Sequence, residues 1–464
     1  MRRACLPVVL LACCAGAFAQ DGVATAQAQQ RSLGHAVLRE LVGIDTTPAH
    51  GSTTVAAERL AQRFLDAGFP AGDVDVVGAG PRTQNLVVRL RGSGAREPVL
   101  LIAHLDVVEA LREDWTVDPY VLTERDGYFY GRGTMDIKGG AAALVAALLR
   151  LHREGVVPRG DYVLALTAGE EDGVDNGIQW LLEHRPDWMR AGYVVNVDGG
   201  GVELRDGVPS VVWVNTAEKV YLSYTLTARN PGGHSSQPGP DNAIYRLANA
   251  LVRVERFRFP LRPNSATRGF FGQVAMADPG AAIAADARAV GDGSARPGAL
   301  ERLAAQVHFN AQLRTTCVPT LLQGGHAENA LPQSARATIN CRLLPDEDPA
   351  QVDAWLRAAI DDPGVVLERV APPNLSPPTA IDPALFDAFR GVARSLLPGV
   401  EVAPNMAVGA SDSVFLRAAG VPVYVFYGLP QDPDDDRSHG QDERISVDAF
   451  DQSLEFTYRL LKAL

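Results

Sequence analysis

Apolar positions in residues 33–68 recur at helical spacing, with Val37, Leu38 and Leu41 followed by Ala56, Leu60 and Phe64, and they predict helix. From Asp73 the period changes. Val74, Val76 and Val77, then Leu86 to Leu90, then Val99 to Ile102 are short apolar runs bounded by Gly, Pro and charge. Such runs read as strands, and the third, apolar throughout, reads as a strand buried on both faces. Residues 139–153, rich in Ala and Leu, predict a helix; 162–166 predict a strand, 176–184 a helix and 193–197 a strand. This alternation predicts an α/β fold with a mostly parallel central sheet.

The pattern then shifts. Val220 to Ala228 alternates like an antiparallel strand, 242–253 is helical, and the runs 315–322 and 335–343 read as strands. Residues 349–360 predict a helix, 365–369 a strand, and the Pro-rich stretch 371–378 a linker. Helices at 385–397 and 450–461, with a strand at 421–427 between them, resume the first pattern. The expected organisation is a catalytic domain in two parts, 20–216 and 373–464, with an α+β lid inserted at 217–372. The Gly/Ala/Pro-rich stretch 258–298 carries no assignable pattern.

Length agrees with two domains, since 464 residues exceed one ordinary core. A formal net charge of -12 argues against a nucleic-acid partner, which needs a basic face. Arg2 and Arg3, the apolar stretch from Leu6 to Ala17, and Ala17-Phe18-Ala19 read as a leader cleaved after Ala19. The expectation is an exported chain, periplasmic or secreted. Later segments are too short and interrupted to predict a membrane span. Of five cysteines only Cys317 and Cys341 outlast that leader. They lie on two strand-like runs that could face each other, so a disulfide and two buried free thiols are both open.

The candidate chemistry gathers after predicted strands. His104-Leu-Asp106 closes the 99–102 run, Glu170-Glu171 follows 162–166, and Asp198 follows 193–197. Asp136 lies in the glycine-bounded stretch Gly131 to Gly140, which leads into a helix. In open α/β sheets functional side chains collect beyond the carboxyl ends of strands, so these groups are expected at one rim. Each is weak alone: with nine histidines, one H-x-D means little. Together they offer imidazole nitrogen and carboxylate oxygen, the donors zinc takes. Adjacent glutamates in a dry cleft conflict as two bare charges, and a metal on one with proton transfer by the other resolves the conflict. Asp106 suits a group that orients the His104 imidazole.

These segments, with Gly232-Gly-His234-Ser-Ser, Glu328-Asn329-Ala-Leu-Pro332, Arg342, Gly409-Ala-Ser411-Asp412 and His439, resemble the M20 family of metallopeptidases over nearly all of the mature chain. The resemblance implies a zinc-peptidase catalytic domain with a lid of the dimerisation type. It implies two zinc ions, with cobalt or manganese fitting the same ligands. His104 and Asp198 would hold one ion, Glu171 and His439 the other, and Asp136 would bridge. Glu170 becomes the general base and then acid, with Asp106 behind it. His234 stabilises the oxyanion, in dimeric relatives at a neighbour's site, which allows a homodimer through the lid. Asn329, Arg342, Gly409 and Ser411 match positions near the substrate.

Taken singly, His234 reads as a turn histidine, His439 as a surface loop residue and Arg342 as half of a lid ion pair. Three functions follow from the resemblance: a metallocarboxypeptidase or dipeptidase acting on small peptides, a deacylase of N-acyl amino acids, or an inactive binding protein. The third would require a missing ligand or base, and every expected position is filled.

Overall fold

The computed structural model of the chain describes residues 13–277 and 280–464, with side chains from residue 25 onward. Most of the proposed leader, residues 1–12, lies outside the described residues. The chain forms two compact units. One comprises the chain to Arg96, Leu101–Gly177 and Gly428–Leu464; the other comprises Glu97–Leu100 and Ile178–Tyr427.

In the first unit the strands Val74–Gly78, Gln84–Leu90 and Tyr162–Thr167 pair antiparallel in that order, and Val99–His104 lies beside Tyr162–Thr167. Val99–His104 and Tyr162–Thr167 are buried along their whole length, as their nearly unbroken apolar sequences require. The helix Lys138–Arg153 packs against Cys13–Val42 and Val447–Ala463. Alanine makes that close packing possible: Ala141, Ala142, Ala143, Ala146 and Ala147 are all fully buried. A small antiparallel sheet joins Thr123–Arg125, Tyr128–Tyr130 and Arg444–Ser446. Helix does not run through 33–68 as the periodicity predicts. It stops at Val42 and restarts at Thr53, because Pro48 cannot sit inside a helix and the intervening polar residues favour turns.

In the second unit Tyr193–Asn196 pairs in parallel with Val423–Val425, and Val208–Glu218 in parallel with Glu401–Ala407. Gly201–Arg205 returns on Val208–Glu218 through Asp206-Gly207, both with positive φ, 52° and 75°. Asp-Gly is the pair that two-residue hairpin turns prefer. Pairing is therefore mixed, with Val423–Val425 also meeting Val208–Glu218 antiparallel at Val425 and Asn215.

A second sheet in this unit runs Thr316–Gly324, Ser334–Leu343, Val220–Arg229, Val365–Arg369, antiparallel throughout. Helices Ala243–Arg256 and Pro349–Ile360 lay Leu247, Ala250, Val254, Val352, Leu356 and Ile360 onto its apolar positions, giving it a core of its own. Asn242 and Asp348 cap these helices by accepting first-turn N–H groups. The stretch that carried no pattern forms the helices Ser265–Ala277, Ala284–Gly291 and Pro297–Ala304. Their apolar side chains, among them Phe270, Phe271, Val290 and Leu303, close over Val211, Trp213 and Ala403. The faces are too short and too rich in small residues to show a period before packing. Among the described residues no helix is long and apolar enough to cross a membrane.

Cys317 and Cys341 stand directly opposite in the antiparallel register and form a disulfide across 24 residues of sequence. Closing a loop of that length removes unfolded-state entropy worth about 3.5 kcal/mol. The double variant Cys317→Ser, Cys341→Ser should therefore unfold at lower denaturant in oxidised buffer, and wild type with reductant should match it. Two titratable thiols at these positions in the denatured, unreduced protein would contradict the bond.

Candidate metal centre

Four chain segments of the first unit bring together His104, Asp136, Glu171 and His439. His104 ends the buried Val99–His104 strand, and the next residue is fixed by a bond from Leu105 N–H to Thr167 O, 2.6 Å. Thr167 in turn ends its own strand, and Gly169 with φ 71° makes the turn beyond it. A Cβ at Gly169 would lie 2.2 Å from the Val174 carbonyl oxygen, so only glycine fits the turn that delivers Glu170 and Glu171.

The Asp106 carboxylate accepts the N–H groups of Glu170 at 3.3 Å and Glu171 at 3.0 Å. It is the Asp106 backbone oxygen, 2.9 Å away, that meets His104 Nδ1, while the carboxylate stands off at 3.8 Å. The orienting role expected of its side chain therefore passes to the backbone, and the side chain holds the two glutamates instead. Burial pushes the Asp106 carboxyl up, against the pull of His104.

Asp136 is placed differently from the other acids. It does not follow a strand of the large sheet but sits at the end of the loop from Gly131, just before the helix Lys138–Arg153. The Asp136-Ile137 peptide is cis. The loop winds around Glu443, whose carboxylate is completely buried. Glu443 accepts the N–H groups of Gly133, Met135 and Asp136 at 2.9, 2.7 and 3.1 Å and pairs with Arg132 at 2.6 Å. Arg132 also donates to Gly440 O at 3.0 Å, tying the His439 loop to the same anchor. Nearby, Lys138 is fully buried with Nζ on the carbonyls of Leu41 and Ile44, both at 2.9 Å, and burial lowers its pKa to about 7. Sequence reading passed over Glu443 and Lys138. Glu443 was legible only as another charge in Asp442-Glu-Arg444, four residues past His439.

The Asp136 carboxylate presents one oxygen to each imidazole: Oδ1 lies 3.0 Å from His104 Nε2 and Oδ2 3.1 Å from His439 Nε2. His439, held at φ 61°, also meets Glu171 Oε2 at 3.0 Å. Burial would raise the Asp136 carboxyl, but the hydrogen bonds and charges of the two histidines outweigh it and hold it well below the usual carboxylate range. Hydrogen bonds to Asp136 and Glu171 raise His439 to about 10. Glu171 Oε1 is buried without a hydrogen-bond partner, a costly state for an acceptor unless something else satisfies it. One ligand atom each from His104, Asp136 and Glu171 lie within 4.8 Å of one another. Imidazole nitrogen, carboxylate oxygen and an orphaned buried oxygen together fit a divalent cation.

The remaining predicted residues belong to the second unit. Asp198 follows Tyr193–Asn196, its N–H bonded to Asn196 Oδ1 at 2.9 Å. His234 is exposed on the short strand Gly233–His234, with the Ser236 N–H 3.2 Å and the Ser236 hydroxyl 2.7 Å from its Nδ1. The Asn329 carbonyl accepts the Ser235 N–H at 3.1 Å. Arg342 lies over the Tyr221 ring at 4.7 Å and donates to Asn340 Oδ1 at 3.3 Å. Gly409 and Ser411 lie just past the strand Glu401–Ala407.

The family described as Peptidase family M20/M25/M40 matches residues 100–463. The N-fatty-acyl-amino acid synthase/hydrolase PM20D1 of Homo sapiens is 31% identical over 384 residues, 79% of this chain and 74% of that protein. The "Probable carboxypeptidase S-like 2" of Dictyostelium discoideum is 27% identical over 391 residues, 79% of this chain and 71% of that protein. Among solved structures, the M20 family metallo-carboxypeptidase Sso-CP2 from Sulfolobus solfataricus shares the fold, with a TM-score of 0.70 at 18% identity over 92% of this chain and 98% of that one.

Glu443 should prove indispensable to the Asp136 loop. Glu443→Ala strands Arg132 and three N–H groups in the interior, a loss of about 3–5 kcal/mol, read by denaturant unfolding. Metal retained per chain after dialysis should fall with it. An alanine variant as stable and as well metallated as wild type would remove Glu443 from this role.

Proposed function

The chain belongs to peptidase family M20/M25/M40, and from that membership we propose that it is a two-zinc hydrolase cleaving an amide bond beside a free carboxylate. The first reading is a metallocarboxypeptidase or dipeptidase. The observation that carries it is the Asp136 carboxylate offering one oxygen to each of two imidazoles, with the orphaned Glu171 Oε1 beside it. In this reading His104, Asp136, Glu171 and His439 would hold the ions, and the family resemblance assigns Asp198 as a further ligand. Ions bound there supply Lewis acidity, lowering a bound water's pKa toward about 7 and polarising the scissile carbonyl.

The protein's own groups do the remaining work. Glu170 takes the proton from the attacking water and returns it to the leaving nitrogen. Asp106 acts through the backbone, fixing the N–H groups of Glu170 and Glu171 so that base and ligand keep their spacing. His234 donates to the developing oxyanion, from this chain or from a second copy. Arg342 and Asn329, on the inserted segment 217–372 read as the lid, hold the substrate carboxylate, and Gly409 and Ser411 belong to a loop of the pocket wall.

A second reading, deacylation of N-acyl amino acids, has the same chemistry and a different acyl group. It is favoured by the 31% identity to a relative named as an N-fatty-acyl-amino acid synthase/hydrolase. The leader-like residues 1–19 and the Cys317–Cys341 bond support export into an oxidising compartment.

Zinc-loaded protein should hydrolyse dipeptides or N-acyl amino acids but not their C-terminal amides, and chelation should abolish turnover. Cleavage of dipeptides alone selects the first reading and of acyl amino acids alone the second. Glu170→Gln should keep its full metal content and lose roughly 100-fold or more of kcat; a metallated variant with near wild-type turnover would exclude Glu170 as the base. For export, N-terminal sequencing of protein expressed with its leader should begin at Gln20, and an intact Met1 terminus would refute the cleavage.

A further inference from the structure

Glu218 and Arg417 form an ion pair at 2.7 Å in the second unit, and both side chains are almost wholly buried. Burying two charges is expensive, and a pair of this kind is weak evidence for stability in itself. Its connections show what it holds. Glu218 ends the strand Val208–Glu218, opposite Ala407 in the parallel register, so the loop bearing Gly409 and Ser411 begins beside it. One carboxylate oxygen accepts both the N–H and the hydroxyl of Ser411, at 3.0 and 2.9 Å. The other accepts Arg417 and the Ser376 hydroxyl, at 2.7 and 3.1 Å. Arg417, one turn into the helix Ser413–Ala418, spends its remaining donors on Val423 O and Thr379 Oγ1. From Ser411 the bonds continue: its hydroxyl oxygen, whose proton is on Glu218, accepts the Ser413 hydroxyl at 2.9 Å, Ser413 Oγ accepts Asn196 Nδ2 at 2.9 Å, and Asn196 Oδ1 accepts the Asp198 N–H at 2.9 Å.

We propose that Glu218 is a positioning residue, set by Arg417, that fixes the Ser411 loop and the Asp198 loop in one arrangement through Ser411, Ser413 and Asn196. Resting on the functional reading above, this couples the pocket-wall loop to the Asp198 loop that bears a metal ligand. A buried carboxylate suits the task because it accepts several donors at once and cannot turn toward solvent. Groups that orient ligands from behind in this way are typically worth about 10- to 100-fold in activity or metal affinity.

The test compares full-length wild type, Glu218→Gln and the double variant Glu218→Gln, Arg417→Met, each zinc-loaded for kinetics and metal-free for hydrogen exchange. Glu218→Gln should raise KM about 10- to 100-fold for substrates with a free carboxylate and speed exchange of the 197–200 and 409–413 amides. If the single variant fails to fold, the double variant, which leaves no unpaired charge, carries the test. A folded double variant with raised KM and fast loops supports the proposal; one with wild-type KM and exchange overturns it, since the pair then serves packing alone. If wild type turns over no amide yet the loops loosen in either variant, the functional reading fails and the positioning role stands. Wild-type turnover with loops unchanged in a folded variant sinks the positioning role instead.

Discussion

Asp136 has to remain an anion although it is three-quarters removed from water, and nearly everything in the first unit can be read as the means of achieving this. Two imidazoles stand on its two oxygens, and its own N–H is clamped by the buried Glu443. Each of these partners is costly to place. Glu443 needs Arg132 and three backbone donors to be tolerable in the interior, and His439 adopts a left-handed backbone to reach its position. The strained and buried groups cluster around this carboxylate, which is how functional sites ordinarily depart from local preference.

The second unit solves a related problem with a different buried carboxylate. Glu443 organises a loop through backbone N–H groups, whereas Glu218 reaches mostly side-chain hydroxyls and passes the constraint on through an asparagine. Both are held by an arginine that has little freedom left. In both cases the ion pair contributes geometry more than stability, since desolvation consumes much of the Coulomb attraction. Anchors of this kind fix loops within each unit, and preorganised polar groups are where much catalytic stabilisation arises.

Family membership narrows the chemistry without naming the substrate. The relatives' own names divide between an N-fatty-acyl-amino acid synthase/hydrolase and a carboxypeptidase.

Much of this was legible in the chain itself. Unbroken apolar runs at 99–102 and 162–166 predicted buried strands because a strand covered on both faces has no polar side to show. The positions of His104, Glu170 and Glu171 followed from where those runs end. The alternation of 220–228 and 335–343 likewise predicted a second sheet, and the two cysteines fell on facing positions. Other features required the folded chain. Helix 33–68 breaks around Pro48, and the helices within 258–298 carry faces too small to show a period. Asp136 reaches the centre from a loop rather than a strand end. Whether Asp106 faces the imidazole with its side chain or its backbone is a matter of a few tenths of a turn in the chain, invisible in sequence. Glu443 and Glu218 were plain charges among others until burial gave them partners hundreds of residues away. Local patterning reports which side of an element is apolar; it cannot report which distant polar group will be buried against which, and that pairing is what tertiary structure decided.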